Sequence, residues 1–378
     1  MDIMEVSFKA TIDRDALHSS LTRMKRIAAR STYPICEHVR LQVSPDEIIL
    51  LATNLDLWLR DVLSCQSDGE FTITLHCRDL AALVSMAPKG SVITVNAGDG
   101  GPVTVTTAAG IISQMSNLPP EDFPMATAPK GQAFTFVITA DTWREIATGV
   151  AYAISTEENR YYLNGIHMAP LKGGKLQFQA TDGHRMGRLV IDASCPPDMP
   201  GVIIPRFTIA ELTKAIGKKG ADDLSVTLQG DQVTFHLGTL LFTSKLIDRV
   251  FPNVDRIIPK CDPGIMTGEL TLDPALISDA VKTLAGYGKG RAMVLSLNSS
   301  IELSVKSGDT ELERTALTIP GEWTGDDYTF GVNITYFVEM LAAMRGKVKI
   351  TTSGPINPIL LQDEGQPGAV HMLMPVRI

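Results

Sequence analysis

The sequence predicts an α+β protein in which one unit, several strands with two helices, occurs three times. Three observations predict it. Thr11-Ile12-Asp13, Thr139-Ala140-Asp141 and Thr271-Leu272-Asp273 each open an amphipathic segment, at offsets of 128 and then 132. Ala52-Thr53-Asn54 and Ala180-Thr181-Asp182 share the offset of 128, as do Phe123-Pro124 and Phe251-Pro252. Second helical segments begin near Arg78, Arg206 and Asn333, at offsets of 128 and 127. Landmarks that share one offset mark internal repeats.

In the first copy, Leu17, Leu21, Met24 and Ile27 form one apolar helix face. The preceding Thr or Asp can cap free backbone N–H groups. In the third copy Pro274 suits the first helical turn. The second helices carry Leu80, Leu83 and Val84; Ile209, Leu212 and Ile216; and Tyr336, Phe337, Met340, Leu341 and Met344. Between the helices, strands are predicted at 39–43, 48–52, 58–63, 92–95 and 103–107, the last two around the Gly98–Gly101 turn. Others are predicted at 224–228, 233–237, 294–297, 301–305, 348–352 and 358–361. Breaks rich in Pro, Gly and polar residues at 126–131 and 255–263 give domains 1–129, 130–257 and 258–378.

The most informative stretch is Ala180-Thr181-Asp182-Gly183-His184-Arg185-Met186. Leu176, Phe178 and Ala180 alternate with Gln177, Gln179 and Thr181, and an apolar run follows to Ile191. Asp182-Gly183 therefore reads as a tight turn between antiparallel strands. Three roles are open to it: a plain hairpin tip, an acid–base pair of Asp182 and His184 in a hydrolase, or the rim of a binding pocket. No GxSxG elbow supplies a nucleophile for the second.

Composition narrows the field. The chain is 44% apolar and 20% charged, within the globular range. No apolar run reaches the ~20 residues of a membrane helix. The acidic start Met1-Asp2-Ile3-Met4-Glu5 lacks the form of a signal peptide. Five scattered cysteines, Cys36, Cys65, Cys77, Cys195 and Cys261, form no CxxC pair. They imply reduced thiols in the cytoplasm and no zinc site. The net charge of -8 argues against a polyanionic partner until it is divided by element. Segments 14–30, 78–89, 141–153, 206–219, 273–291 and 333–349 together carry +10, leaving -18 for the remainder. Basic helices with acidic sheets fit a protein that turns its helices toward one polyanion. Candidate phosphate-facing residues are Arg23, Lys25, Arg26, Arg30, Arg78, Arg206, Lys214, Lys218, Lys219, Lys282 and Arg345. No zinc finger, helix-turn-helix or RNP signature offers base readout.

A triplicated unit with basic helices resembles the bacterial sliding clamp family, the beta subunit of the replicative DNA polymerase. Ser116-Asn117-Leu118-Pro119 with Asp122-Phe123-Pro124 is similar to the close of that family's first domain. Arg160-Tyr161-Tyr162-Leu163-Asn164-Gly165 and the ATDGHR stretch resemble its middle domain. Phe242-Thr243-Ser244-Lys245-Leu246, Phe251-Pro252, Arg256 and Ile257-Ile258-Pro259-Lys260 resemble the run into the third, and Met374-Pro375-Val376-Arg377-Ile378 its terminus. The resemblance implies a head-to-tail homodimeric ring around duplex DNA, held without sequence specificity, helices inside, and with no catalytic residue, metal or cofactor. It implies as partners a clamp-loader ATPase and replicative and translesion DNA polymerases carrying a clamp-binding peptide. The peptide pocket maps onto Leu163, Thr181, Gly183, His184, Arg185, Met186, Pro252, Arg256, Ile257, Met372, Met374, Pro375, Val376 and Arg377, with Arg160 and Tyr162 on a shallower part. On this reading His184 is a pocket wall, and His184, Arg185 and Arg377 stand at the rim. Met186, Val376 and Ile378 depart from the family's commoner residues but stay apolar. The stretch Ala285-Gly286-Tyr287-Gly288-Lys289-Gly290-Arg291 does not follow the family pattern. A clamp paralogue outside replication shares all these features.

Overall fold

The computed structural model describes residues 7–28, 31–98, 101–217, 222–256, 258, 268–286, 292–306, 314–352 and 356–377. Two compact units emerge: Met1–Ala140 with Ala210–Leu246, and Asp141–Ile209 with Ile247–Ile378. The middle repeat contributes strands to both. Six α-helices are described: α1 Arg14–Ile27, α2 Cys77–Met86, α3 Ala140–Val150, α4 Arg206–Ile216, α5 Pro274–Ala285 and α6 Ile334–Leu341.

Unit 1 holds one 12-stranded antiparallel sheet. Its path runs 112–115, 103–107, 92–98, 7–13, 57–67, 240–245, 232–237, 223–229, 133–139, with 47–53, 38–43 and 71–76 branching from 57–67. The strand Leu57–Ser67 makes this possible because it is long enough to serve two neighbours. Its first half pairs with Leu240–Lys245 and its end with Ser7–Asp13. Unit 2 has a nine-stranded sheet, 202–205, 165–171, 175–181, 185–192, 369–373, 359–363, 348–352, 268–272, 322–325, and a four-stranded one, 314–319, 301–306, 292–297, 328–333.

The helices follow their apolar periodicity. Leu17, Leu21, Met24 and Ile27 are all buried, as are Leu80, Leu83 and Val84, and Phe337, Met340 and Leu341. Asp13 caps α1 by accepting from Ala16 N–H at 2.8 Å, and Asp273 caps α5 by accepting from Ala275 N–H at 2.8 Å, with Pro274 in the first turn. In the second copy the helix starts at Ala140, so Asp141 lies inside the first turn, where it pairs with Arg144. The predicted strands are present, several longer than expected. Strands not foreseen include those at 112–115, 202–205, 314–319 and 322–325. These are short or largely exposed, and Arg314–Ile319 has one fully buried residue, so hydrophobic alternation carries no signal there. Residues 99–100 of the Gly98–Gly101 turn, 287–291 of the Ala285–Arg291 stretch, most of the predicted break at 255–263, and Cys261 lie outside the described residues.

Two histidines, the buried His371 and the half-buried His167, lie on the sheet of unit 2. His371 Nδ1 is 2.8 Å from the Tyr152 hydroxyl, and His167 Nδ1 is 3.0 Å from Gln179 Nε2 with its ring stacked on Phe251. Burial pushes both pKa values down to about 4. The unfolded chain protonates these groups as pH falls through about 6.5, the folded chain not until about 4. The stability they contribute is therefore complete above 6.5 and lost progressively toward 4. By pH 5 each should have cost unit 2 about 2 kcal/mol. Urea unfolding at pH 7 and 5 checks this: His371→Gln should lessen the fall in midpoint, and an unchanged fall would refute the assignment.

Candidate functional site

The Thr181–Arg185 turn is built by its own side chains. Thr181 Oγ1 accepts from Gly183 N–H at 3.1 Å and donates to the Arg185 carbonyl at 2.7 Å. Asp182 Oδ1 accepts from the His184 and Arg185 N–H groups at 2.9 and 3.0 Å. Gly183 supplies φ of 90°. The two strands that leave the turn are antiparallel, as expected. The outgoing strand pairs on its other side with Ala369–Leu373, Met186 opposite Met372, and the Met374 N–H donates to the His184 carbonyl at 2.8 Å.

Those pairings gather an apolar cluster from distant parts of the chain. Leu163, Met186, Ile203, Phe251, Val254 and Met372 form its buried part, with Tyr162, Ile247, Ile258 and Val370 packed against it. Met374 is half-buried beside the turn, and Pro252 is exposed between Phe251 and Val254. Arg160 is exposed and pairs with Glu157 at 3.3 Å. Pro375, Val376 and Arg377 line a separate surface cleft of about 460 Å³ with Thr329, Phe330 and Ile356, where the Val376 N–H donates to the Gly331 carbonyl at 2.9 Å. Ile257 lies outside the described residues, as does the side chain of Arg256.

His184 is exposed at the turn, its ring 6.2 Å from that of Tyr336. Arg185, expected at the rim, is instead buried at 7% exposure. Its Nε donates to Asp182 Oδ2 at 3.0 Å and its Nη1 to Glu339 Oε2, while its guanidinium carbon lies 4.3 Å from the Tyr336 ring centre and 5.5 Å from that of Tyr152. An arginine desolvated to this degree needs such partners. With Oδ1 given to backbone and Oδ2 to Arg185, Asp182 is oriented away from the role of partner to the His184 imidazole. Among the described residues no group of three or more His, Cys, Asp or Glu side chains is arranged to hold a metal ion.

The basic helix residues divide into two sets. Arg23 pairs with Asp61 at 2.9 Å and Arg26 with Glu211 at 2.6 Å, both carboxylates being buried. Lys214 pairs with the same Glu211, Lys282 with Asp279 at 3.8 Å and Arg345 with Glu145 at 2.6 Å. Lys25, Arg78 and Arg206 are exposed, with no carboxylate in pairing range among the described residues. Arg30, Lys218 and Lys219 lie outside those residues. No described helix is long and apolar enough to cross a membrane.

Comparison with known proteins matches residues 8–127, 137–253 and 256–377 to the N-terminal, central and C-terminal domains of the DNA polymerase III beta subunit. A beta sliding clamp of Caulobacter vibrioides is 30% identical over 380 residues, covering 98% of this chain and 100% of that protein. The chain belongs to the beta sliding clamp family. The Pseudomonas aeruginosa clamp is 27% identical over 97% of this chain and 99% of its own. Among solved structures, a Bartonella birtlesii sliding clamp bound to griselimycin aligns with TM-score 0.90 at 28% identity, over 99% of this chain and 100% of that one. With membership come the DNA-clamp fold, the head-to-tail dimeric ring and the work of a processivity factor for DNA polymerase III in replication.

In this clamp, sequence reasoning missed Tyr152 and the carboxylates Asp61, Glu145, Glu211 and Glu339. One signal could have found two of them: the repeat offset of 128 relates Glu211 to Glu339, and each receives an arginine. Arg185→Ala should cost unit 2 about 3 kcal/mol, since it strands Asp182 and removes the guanidinium between two rings. Arg185→Lys should recover little of it, and Glu339→Gln, at a half-exposed carboxylate, should cost less than about 1 kcal/mol. Denaturant unfolding ranks the three; equal losses for Arg185→Ala and Glu339→Gln would contradict this ordering.

Proposed function

We propose that the apolar cleft of unit 2 is the docking site for an extended peptide carried by partner proteins, of the form Gln-Leu-x-Leu-Phe or similar. The observation that carries this reading is the Met374–His184 backbone bond, which holds the C-terminal segment against the turn as one wall of the cluster. Leu163, Met186 and Met372 supply the floor, Tyr162 and Met374 the accessible side, and Thr181, Gly183 and Arg185 the turn that sets its shape. His184, Pro252 and Arg160 stand around it, with Arg256 and Ile257 assigned to its far wall. Pro375, Val376 and Arg377 are assigned to the site as well, on the separate cleft beside Gly331. Polymerases, replicative and translesion, and the clamp-loader ATPase dock here in turn. The chain is divided into clamp domains 1–129, 130–257 and 258–378, acts in the cytoplasm, and performs no catalysis of its own.

Strand pairing supports the closure. Where copies one and two meet, Leu57–Asp61 pairs with Leu240–Ser244; where copies two and three meet, Arg185–Leu189 pairs with Ala369–Leu373. The repeat offset of 128 relates Leu57 to Arg185, so one rule governs both junctions. Its third application needs the edges Ile112–Met115 and Arg314–Ile319, each with one neighbour among the described residues. A second copy of the chain supplies the missing neighbours and removes both edges. Within the ring, Lys25, Arg78 and Arg206 meet phosphate directly, with Arg30, Lys218 and Lys219 assigned to the same face. Arg23, Arg26, Lys214, Lys282 and Arg345 share their charge with carboxylates.

Deletion of residues 374–378 should leave a dimer that binds a fluorescent Gln-Leu-x-Leu-Phe peptide at least about tenfold more weakly, the loss of one apolar anchor. Unchanged anisotropy titration in a folded, dimeric truncation would refute the docking site. Leu317→Asp, on an exposed edge, should turn the dimer into a monomer in sedimentation at micromolar concentration. After loading, the unaltered clamp should remain on nicked circular DNA and leave the same DNA once linearised, whereas Leu317→Asp should be retained on neither. Equal retention on circles and linear DNA would rule out encirclement.

A further inference from the structure

Copy one contains a counterpart of the peptide cleft, residue by residue, within unit 1. Thr53 Oγ1 accepts from Leu55 N–H at 2.9 Å as Thr181 does from Gly183. Asn54 Oδ1 accepts from Asp56 and Leu57 N–H groups at 3.1 and 2.8 Å, as Asp182 does from His184 and Arg185. Leu55 adopts φ of 76° beside the 90° of Gly183, a left-handed conformation costly for a leucine and kept nonetheless. The repeat offset of 128 carries Ile35, Trp58, Phe123 and Pro124 onto Leu163, Met186, Phe251 and Pro252. Lys245 matches Met374 at an offset of 129, its N–H donating to the Asp56 carbonyl as that of Met374 does to the His184 carbonyl. Leu51, Trp58 and Phe123, with Ile35 and Ala126, form the matching apolar cluster.

What differs is how the two clefts are filled. In place of Met186 stands an indole, whose Nε1–H donates to the Pro124 carbonyl at 2.8 Å and so joins the strand to the opposite wall. In place of Met374 stands Lys245, its Nζ 5.6 Å from the centre of the indole ring and 3.2 Å from Asp56. Tyr33 and Met125, close in the chain to the cluster residues Ile35 and Ala126, are both 59% exposed. We propose that copy one holds a latent second peptide cleft with Trp58 as its built-in occupant, so that Trp58 limits each chain to one peptide site. This rests on the peptide reading of the unit 2 cleft. The ligand class is the same, an extended peptide ending in aliphatic and aromatic anchors, because the turn keeps the same backbone bonds and Ile35, Phe123 and Pro124 stand where Leu163, Phe251 and Pro252 do. Trp58 supplies both features of a bound anchor: a large apolar body in the cluster and a hydrogen bond to backbone at the rim.

The test installs the counterpart residues, Trp58→Met with Lys245→Met, and counts bound Gln-Leu-x-Leu-Phe peptide by calorimetry. The unaltered chain should bind one peptide and the double variant two. Deletion of 374–378 should then weaken one site at least about tenfold in each, leaving the unaltered chain no site of the original affinity and the double variant one. A folded, dimeric double variant that still binds one peptide overturns the proposal. An unaltered chain that binds none overturns the unit 2 reading and this proposal with it, whereas loss of the second site alone leaves that reading standing. A further measurement needs no substitution. In the unaltered protein, saturating peptide should shift the Met186 and Met374 methyl resonances and leave the Trp58 indole N–H resonance in place. Movement of that indole signal, or its rapid exchange with solvent, would mean that the first cleft is open.

Discussion

The structure depends on antiparallel pairing between strands that belong to successive copies. An edge strand leaves a row of N–H and C=O groups that water or another strand must satisfy. At Leu57–Asp61 with Leu240–Ser244, and at Arg185–Leu189 with Ala369–Leu373, another copy does so. The sheets therefore run through the repeat boundaries, and for this reason the compact units divide the middle repeat between them. The apolar cluster proposed to take a peptide is a by-product of the second seam. Pairing sets Met186 opposite Met372 and delivers Met374 to His184, so residues from distant parts of the chain share one apolar cluster.

Much of this was legible in the chain itself. The period, the helix faces and the ATDGHR turn rest on local chemistry: apolar spacing, capping side chains, a glycine where φ must be positive. What was not legible depends on partners far away in sequence. Arg185 reads as a rim cation because nothing near it explains burial. Glu339, 154 residues on, is one of the groups that make burial tolerable. The edge strand Arg314–Ile319 is invisible for a related reason, since its pairing surface is backbone and its side chains mostly face outward. The turn in copy one shows the opposite case. Its Leu55 breaks the glycine rule yet keeps the geometry, because Thr53 and Asn54 hold the same bonds that Thr181 and Asp182 hold in copy two.

The junctions also show how ionic and apolar groups divide their tasks. Asp61 is buried and meets both Arg23 and the Thr239 hydroxyl, which come from different copies. Glu211 receives Arg26 from copy one and Lys214 from its own helix. Pairs of this kind add little net stability once desolvation is counted, but a displaced partner leaves a buried charge behind. They act against misregistration of one copy upon another, while the apolar clusters supply the driving force.

Arg23 and Arg26 are answered by carboxylates within the same unit, and this bears on motion as well as on binding. A guanidinium that releases few counterions when it approaches phosphate contributes a shallow dependence on salt and an equally shallow energy well. For a body that must travel along a duplex, wells are friction: each one has to be climbed before the next base pair is reached. On the proposal that the helices face DNA, the internal pairing of Arg23 and Arg26 smooths the landscape over which the chain diffuses, while Lys25, Arg78 and Arg206, unpaired among the described residues, keep its positive character. Its grip on DNA can then come from topology, and its speed from the weakness of every single contact.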